Sequence, residues 1–452
     1  MDGFTVSGRR VVVVGAARSG IAAAELLARR GARVTLSEQR DAVQGLEGLR
    51  AMGVTLETGG HQSATFAGAD LVVTSPGVSL EQPAFEAARS SGVEVIGELE
   101  LASRWARGRV IAVTGTKGKS TTTTLIGRML RAAGRVVTVG GNIGVPFCAQ
   151  VEESVPGTVH VVETSSFQLE TTTTFRPWIA VWLNLATDHL DRHVSLEAYA
   201  EAKARIFANQ GADDWAVINA DDEEVMRHST GARSRTVTYS LAGQPTAAFS
   251  VEDDRVVRRT GTGKDEMLPL SAVELTGHHM LNNVLAAAAT TWAAGAEPAA
   301  MVDGLRGFSG LEHVMEPVGD IGGVRFVNDS KATNVEAACR SIESFEGGVV
   351  AIVGGRFKGG DLRELRAPLA AHGRAVVAIG EAAPLVRDAV EDVLPVVGAG
   401  SMREAVLLAR DAAGPDGVVL LAPACASFDW FVDYAERGRA FKAEVARLGV
   451  DG

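Results

Sequence analysis

Cysteine is almost absent: Cys148, Cys339 and Cys425 are the only three in 452 residues. They are odd in number, far apart and without metal spacing. That excludes a disulfide framework and a cysteine-ligated zinc site, and reduced thiols are expected. No apolar run is long enough to cross a bilayer; the most apolar later stretch, VLAAAATTWAAGA, is too short. The opening MDGFTVSGRRVVVVG lacks the apolar core of a secretory signal. Positive charge is in deficit, with 44 Lys and Arg against 55 Asp and Glu, for a formal net charge of -11. This argues against nucleic acid or an anionic membrane as the main partner. Low-complexity linkers and short-period repeats are missing too. A cytoplasmic globular protein is the expectation. It would meet anionic ligands locally, through loops and single basic residues.

Aromatics are scarce at 5%, whereas glycine is abundant, with 51 residues. That balance suits tight turns between strands and helices packed closely on sheets. At roughly 150 residues per domain the length suggests about three domains. Val11–Val14 is a buried strand, followed by the turn GAARSG, the helix IAAAELLARRG and the strand ARVTLSE. Further strands are expected at ADLVVTSPG and VEVIG. A second α/β region begins at Val110 and includes VHVVETSS, IAVWLNL and WAVINADD. Its helices are expected at SLEAYAEAKARIFANQ and HHMLNNVLAAAATTWAAG, and TVTYSLAGQPTAAFSVEDDRVVRRTG reads as a local β insertion. LRGFSGLEHVMEPVG reads as a hinge. A third α/β region follows, with VRFVNDSKATN, VVAIVGG, AVVAIG and GVVLLAPACASFDWF. The fold class is α/β in three domains: N-terminal Rossmann-like, central P-loop ATPase-like and C-terminal Rossmann-like. The boundaries are placed at 1–97, 98–310 and 311–452.

Each strand ends in a polar or glycine-rich turn, where open α/β sheets bind ligands. In VIAVTGTKGKSTTTTL, a strand leads through Gly115, Thr116, Lys117 and Gly118 into a helix opening with Lys119, Ser120 and Thr121. The pattern is a phosphate-loop variant, because Val113 stands where the first glycine normally lies. Backbone N–H groups and the helix start still face phosphate, Lys119 can reach β/γ oxygens, and Ser120 can bind Mg²⁺. Glu163 ends a strand, as a metal-binding acid would. In GAARSG, Ala17 replaces the middle glycine of a dinucleotide fingerprint, and Glu38 is spaced like a ribose-binding acid. His189 and His193 lie four apart, but without the H-E-x-x-H glutamate. Lys203 by itself reads as a solvated lysine. NDSKATN reads as a helix cap with turn residues, and Lys358 in VGGRFKGGD offers a cation. Ser427 is not in a nucleophile elbow.

Together, GTKGKSTTTTL, GGNIGVPF, ETSSFQLE, TDHLDRH, EAKARIF, NDSKATN and PACASFDWFVDYAERGRAF resemble the Mur ligase family, in order and across nearly the whole chain. The resemblance implies an enzyme of cytoplasmic peptidoglycan precursor synthesis. ATP activates the L-alanine carboxylate of UDP-N-acetylmuramoyl-L-alanine as an acyl phosphate, and the amine of D-glutamate attacks it. The same ligation with L-glutamate is the first alternative. A P-loop switch without ligase activity and an NAD-dependent oxidoreductase are the others. The enzyme is expected to be a monomer with small-molecule partners only.

The resemblance also implies roles. Lys119 meets the β/γ phosphates, and Ser120 with Glu163 holds the first of two Mg²⁺ ions. His189 is a ligand of the second, and Lys203 falls where the family carries a carbamylated lysine, an anionic group suited to Mg²⁺. Asn142 contacts substrate. Asn283 lies on the nucleotide side. Asp329 and Lys331 reach the nucleotide and reaction centre. Thr333, Lys358, Ser427 and Tyr434 grip glutamate. Ser19, Glu38 and Gln39 hold UDP, and Ser75-Pro76-Gly77 forms another substrate loop. The chain departs from the family at Met280, often asparagine, at Val314, usually arginine, and at Tyr434, often phenylalanine.

Overall fold

The computed structural model describes residues 4–41, 43, 45–187, 192–273, 278–357 and 359–451. Continuous apolar runs become parallel strands covered on both faces. The first sheet contains β1 (Arg10–Val14), β2 (Arg33–Glu38), β3 (Thr55–Thr58), β4 (Leu71–Thr74) and β5 (Val95–Gly97). They pair in parallel in the order β3-β2-β1-β4-β5. The order reverses between β1 and β4, which opens a crevice at their C-terminal ends. The helix Arg18–Arg29 buries Ala22, Ala23, Leu26 and Leu27 against this sheet. It starts earlier than its apolar run suggested, so Arg18 and Ser19 lie in its first turn.

The second sheet contains β6 (Arg109–Thr114), β7 (Val136–Gly141), β8 (Thr158–Glu163), β9 (Ile179–Trp182), β10 (Trp215–Asn219), β11 (Arg235–Ser240), β12 (Phe249–Glu252), β13 (Arg255–Thr260) and β14 (Gly263–Pro269). Their order is β14-β13-β12-β11-β10-β9-β6-β8-β7. The expected β insertion is not separate. β12 joins β11 in parallel, and β13 and β14 follow antiparallel, all extending the same sheet. Pairing there satisfies backbone groups that β11 would otherwise leave at an open edge.

These two sheets form one compact unit, Met1–Phe308. One apolar core runs through both, from Val11, Val13 and Leu36 to Ala112, Phe147 and Trp182. Glu100, in the short helix after β5, ties them further. Its fully buried carboxylate accepts the backbone N–H groups of Thr173 (2.9 Å), Thr174 (3.1 Å) and Phe175 (2.9 Å), and Arg104 Nε (2.9 Å).

The second unit, Ser309–Gly452, carries β15 (Glu316–Ile321), β16 (Val324–Asn328), β17 (Val349–Gly354), β18 (Gly373–Ile379), β19 (Val396–Ala399) and β20 (Val418–Leu421). The order is β15-β16-β20-β17-β18-β19, parallel except for β15. Apolar layers cover both faces, with Ala351 and Val353 on one side and Val350 and Ile352 on the other. Among the described residues no helix is long and apolar enough to cross a membrane.

Candidate active site

β6 delivers its chain to the loop Gly115–Gly118, and the helix Lys119–Ala132 starts at once. The glycines are required at two points. Gly115 and Gly118 have φ of +154° and +80°, and a Cβ on Gly118 would lie 2.2 Å from Asn283 Oδ1. The buried Asn283 therefore lines the loop, while its Nδ2 faces Met280 Sδ at 3.8 Å. Thr116 is buried, Lys117 is exposed, and Thr121 is buried in the first helical turn. Lys119 Nζ donates to the carbonyls of Gly115 and Thr116, both at 3.0 Å. Asn184, just beyond β9, is a loop residue that sequence reasoning missed. Its Oδ1 accepts the N–H groups of Thr116 (3.0 Å) and Lys117 (2.8 Å), and its Nδ2 donates to Lys117 O (3.1 Å). The only signal was an asparagine at a strand end beside a phosphate loop.

β8 lies next to β6, and β7 next to β8, and they bring two further groups to the same end of the sheet. Ser120 Oγ donates to Glu163 Oε2 at 2.7 Å, and Asn142 Nδ2 donates to Glu163 Oε1 at 2.8 Å. A hydroxyl and a carboxylate at a phosphate loop are hard oxygen donors of the kind Mg²⁺ takes, so the residues fit that ion. Lys203 is not a solvated lysine. It is 1% exposed, and its Nζ donates to Gly115 O at 2.8 Å and lies 4.4 Å from the Tyr199 ring centre. The helix Leu196–Ala204 points it inward to the loop. His189 lies outside the described residues. His193 is a buried packing residue: Nε2 meets Ser166 Oγ (2.9 Å), Nδ1 meets Glu170 (3.2 Å), and the ring stacks on Phe167.

At the first sheet, the crevice between β1 and β4 gathers Gly15, Ser19 and Ser75. Ser75 is buried and donates to Gly15 O at 3.3 Å, while Ser19 is half-buried. Glu38 ends β2 and is buried. Its Oε2 accepts Ala16 N–H at 2.7 Å, and its Oε1 accepts Arg40 N–H at 3.1 Å and Arg40 Nε at 3.0 Å. The hydrogen-bonded Arg40 guanidinium does most to hold the carboxyl down at about 2, against the opposing effect of burial. Arg40 was missed because a basic residue in a turn carries no periodic signal. Gln39 and Gly77 are exposed, and Arg192 donates to the carbonyls of Gly77 (3.3 Å) and Val78 (2.8 Å).

In the second unit, β16, β20 and β17 are adjacent, so their C-terminal loops cluster. Ala424 N–H bonds Ala332 O at 3.0 Å, joining the loop of Asp329, Lys331 and Thr333 to the loop of Ser427. Asp329 is buried. Its Oδ1 accepts Met315 N–H at 3.2 Å and its Oδ2 accepts the Ser341 hydroxyl, while burial raises its pKa. Lys331 and Thr333 are half-buried and Ser427 is buried. Tyr434 presents its carbonyl to Ser330 Oγ (2.7 Å) and its ring edge-on to His313. Val314 is half-buried next to that histidine. Lys358 lies outside the described residues. Arg437, also missed, is 1% exposed and braces both loops through Ser330 O (2.9 Å), Ser330 Oγ (3.0 Å) and Cys425 O (3.1 Å). Burial brings its pKa down to about 10.

Residues 9–97 match the Mur ligase MurD-like N-terminal domain, 113–291 the Mur ligase middle domain, and 315–425 the Mur ligase glutamate ligase domain. The chain belongs to the Mur ligase family, ATP-dependent, Mg²⁺-using enzymes that form amide bonds. It is 46% identical over 442 residues to the UDP-N-acetylmuramoylalanine--D-glutamate ligase of Acidobacterium capsulatum, covering 97% of this chain and 96% of that protein. The protein of the same name from Pelotomaculum thermopropionicum is 43% identical, with coverage of 97% and 98%. Among solved structures, the UDP-N-acetylmuramate-alanine ligase MurC of Thermotoga maritima superposes with a TM-score of 0.58 at 20% identity, over 98% of this chain and 100% of that one. A pseudomurein peptide ligase type C from Methanothermus fervidus gives 0.55 at 17%, over 98% and 100%. At those identities the likeness concerns the fold.

Proposed function

We propose that this protein joins D-glutamate to the L-alanine carboxylate of UDP-N-acetylmuramoyl-L-alanine, with ATP cleaved to ADP and phosphate, in peptidoglycan precursor synthesis. The observation that carries this reading is the near-full-length similarity, at 40% identity or more, to ligases named for D-glutamate. Those names favour D-glutamate over L-glutamate, which the motifs alone left open.

The substrate carboxylate attacks the γ-phosphorus and displaces ADP, giving an acyl phosphate. The glutamate amine then attacks the acyl carbon, loses a proton, and phosphate leaves from the tetrahedral intermediate. Little covalent work falls to the protein, so positioning and charge neutralisation carry the rate. The backbone of Gly115–Gly118 and Lys119 receive the β/γ phosphates. Ser120 and Glu163 would hold Mg²⁺, which supplies positive charge against the phosphates. Asn142, hydrogen-bonded to Glu163, contacts the substrate in this reading. Asn283 meets the nucleotide. Ser19, Glu38, Gln39, Ser75 and Gly77 hold the UDP end, and Thr333, Lys358, Ser427 and Tyr434 hold glutamate. Asp329 and Lys331 serve the nucleotide and reaction centre.

A second Mg²⁺ held by His189 and a carbamate on Lys203 belongs to this reading; the burial of Lys203 at the loop supports it. So do the domain division at 97 and 310, cytoplasmic action and a monomeric state. Phosphate release is the test, from ATP and Mg²⁺ with UDP-N-acetylmuramoyl-L-alanine and D-glutamate, L-glutamate or no amino acid. Release with D-glutamate alone is expected. Release with L-glutamate alone would move the enzyme to another pathway, and equal release in every mixture would replace ligase with plain ATPase.

A further inference from the structure

Glu98 has no place in the reaction above, yet it is a carboxyl at the centre of the first unit. It opens the short helix after β5 and is 1% exposed. Its Oε1 accepts the backbone N–H of Cys148 at 2.6 Å, and its own carbonyl accepts Cys148 Sγ at 3.5 Å. Among the described residues its buried Oε2 has no hydrogen-bond partner. An acid in such a place is expensive unless it holds something in position.

What it holds is the far end of the loop that leaves β7. The near end is Asn142, whose N–H bonds Glu163 O (2.9 Å) and whose Nδ2 bonds Glu163 Oε1. Between them, Val145 O accepts Gly141 N–H (2.9 Å) and Gln150 Nε2 (2.8 Å). Phe147 and Cys148 are fully buried in the core shared by both sheets. The loop is thus pinned at both ends, and Glu98 is its tie to the segment that leaves the first sheet.

We propose that Glu98 is a positioning residue, which fixes the 142–148 loop so that Asn142 meets both Glu163 and the nucleotide-sugar substrate. The inference rests on the substrate role given to Asn142 above. Burial pushes the Glu98 pKa up to about 7, so a neutral group of the same shape can replace it. Glu98→Gln keeps the acceptor for Cys148 N–H, whereas Glu98→Ala removes it.

The test is steady-state kinetics of the purified full chain with both variants, with Asn142→Ala, and with the double variant. Glu98→Ala is expected to lower kcat/KM for UDP-N-acetylmuramoyl-L-alanine by roughly tenfold, the size of one lost hydrogen bond to a buried acid. The KM for ATP is expected to stay within about twofold. Glu98→Gln should recover most of the loss. In the Asn142→Ala background, Glu98→Ala should cost less than about threefold, because the two act through one loop. Additive losses, equal loss for both substrates, or failure of Gln to rescue would overturn the proposal. Should Glu98→Ala not fold, Glu98→Asp, one methylene short of Cys148, supplies the same comparison. Absence of ligase turnover in the unmodified protein would instead sink the reading of function.

Discussion

Single residues show how far a side chain's surroundings override its type. Lysine on a helix is usually solvated, but Lys203 is buried because its helix faces the phosphate loop. A carbamate there would exchange a cation for an anionic, oxygen-bearing group. Lys203→Ala should then lose nearly all phosphate release and regain part of it with millimolar acetate or formate; no recovery would remove the carbamate. Glu38 gives a pH signature. Its carboxyl lies well below the unfolded carboxylate range near 4.3, so its stabilisation is present above that pH and fades as pH falls toward about 2. Arg40 is exposed and screened, so the contribution is on the order of 1–2 kcal/mol. Urea unfolding of Glu38→Gln should show that deficit at pH 7 and roughly half of it at pH 3. An equal deficit at both would assign the effect to shape rather than charge.

At the scale of elements, the strands that escaped sequence reasoning share one property. β3, β7, β14, β15 and β19 are all sheet edges, and their residues are largely half-buried or exposed. An edge strand is covered less, so it needs no continuous apolar run and leaves none to read. Central strands such as β6, β8 and β17 are buried almost throughout and were legible at once. The short helix after β5 makes the opposite point, since its buried Glu100 was illegible as a structural group. Three backbone N–H groups of 173–175 converge on that carboxylate. Glu100→Ala should cost roughly 3 kcal/mol, because it leaves those donors and Arg104 without their acceptor. Denaturant unfolding would measure the cost. Hydrogen exchange should show the amides of Thr173, Thr174 and Phe175 losing protection first, and unchanged protection would contradict the tie.

For the whole molecule, the proposed reaction needs groups from two compact units: Lys119, Ser120 and Glu163 from one, and Lys331, Thr333 and Ser427 from the other. On that proposal, ligand binding should change how the two units are distributed in solution. Small-angle scattering with ATP, Mg²⁺ and the nucleotide-sugar substrate should then differ from that of the free protein. Superimposable profiles would count against that expectation.

The sequence by itself determined the α/β class, the phosphate loop and the strand ends that carry chemistry. Those depend on local rules: apolar runs for buried strands, glycine where φ is positive, hydroxyls and acids at turns. Only the tertiary structure decided which strand ends are neighbours. It set Asn142, Glu163 and Ser120 side by side, brought Asn184 under the loop and buried Lys203, Glu98, Glu100 and Arg437. Those outcomes depend on strand order and packing between segments distant in the chain, and no local pattern encodes either.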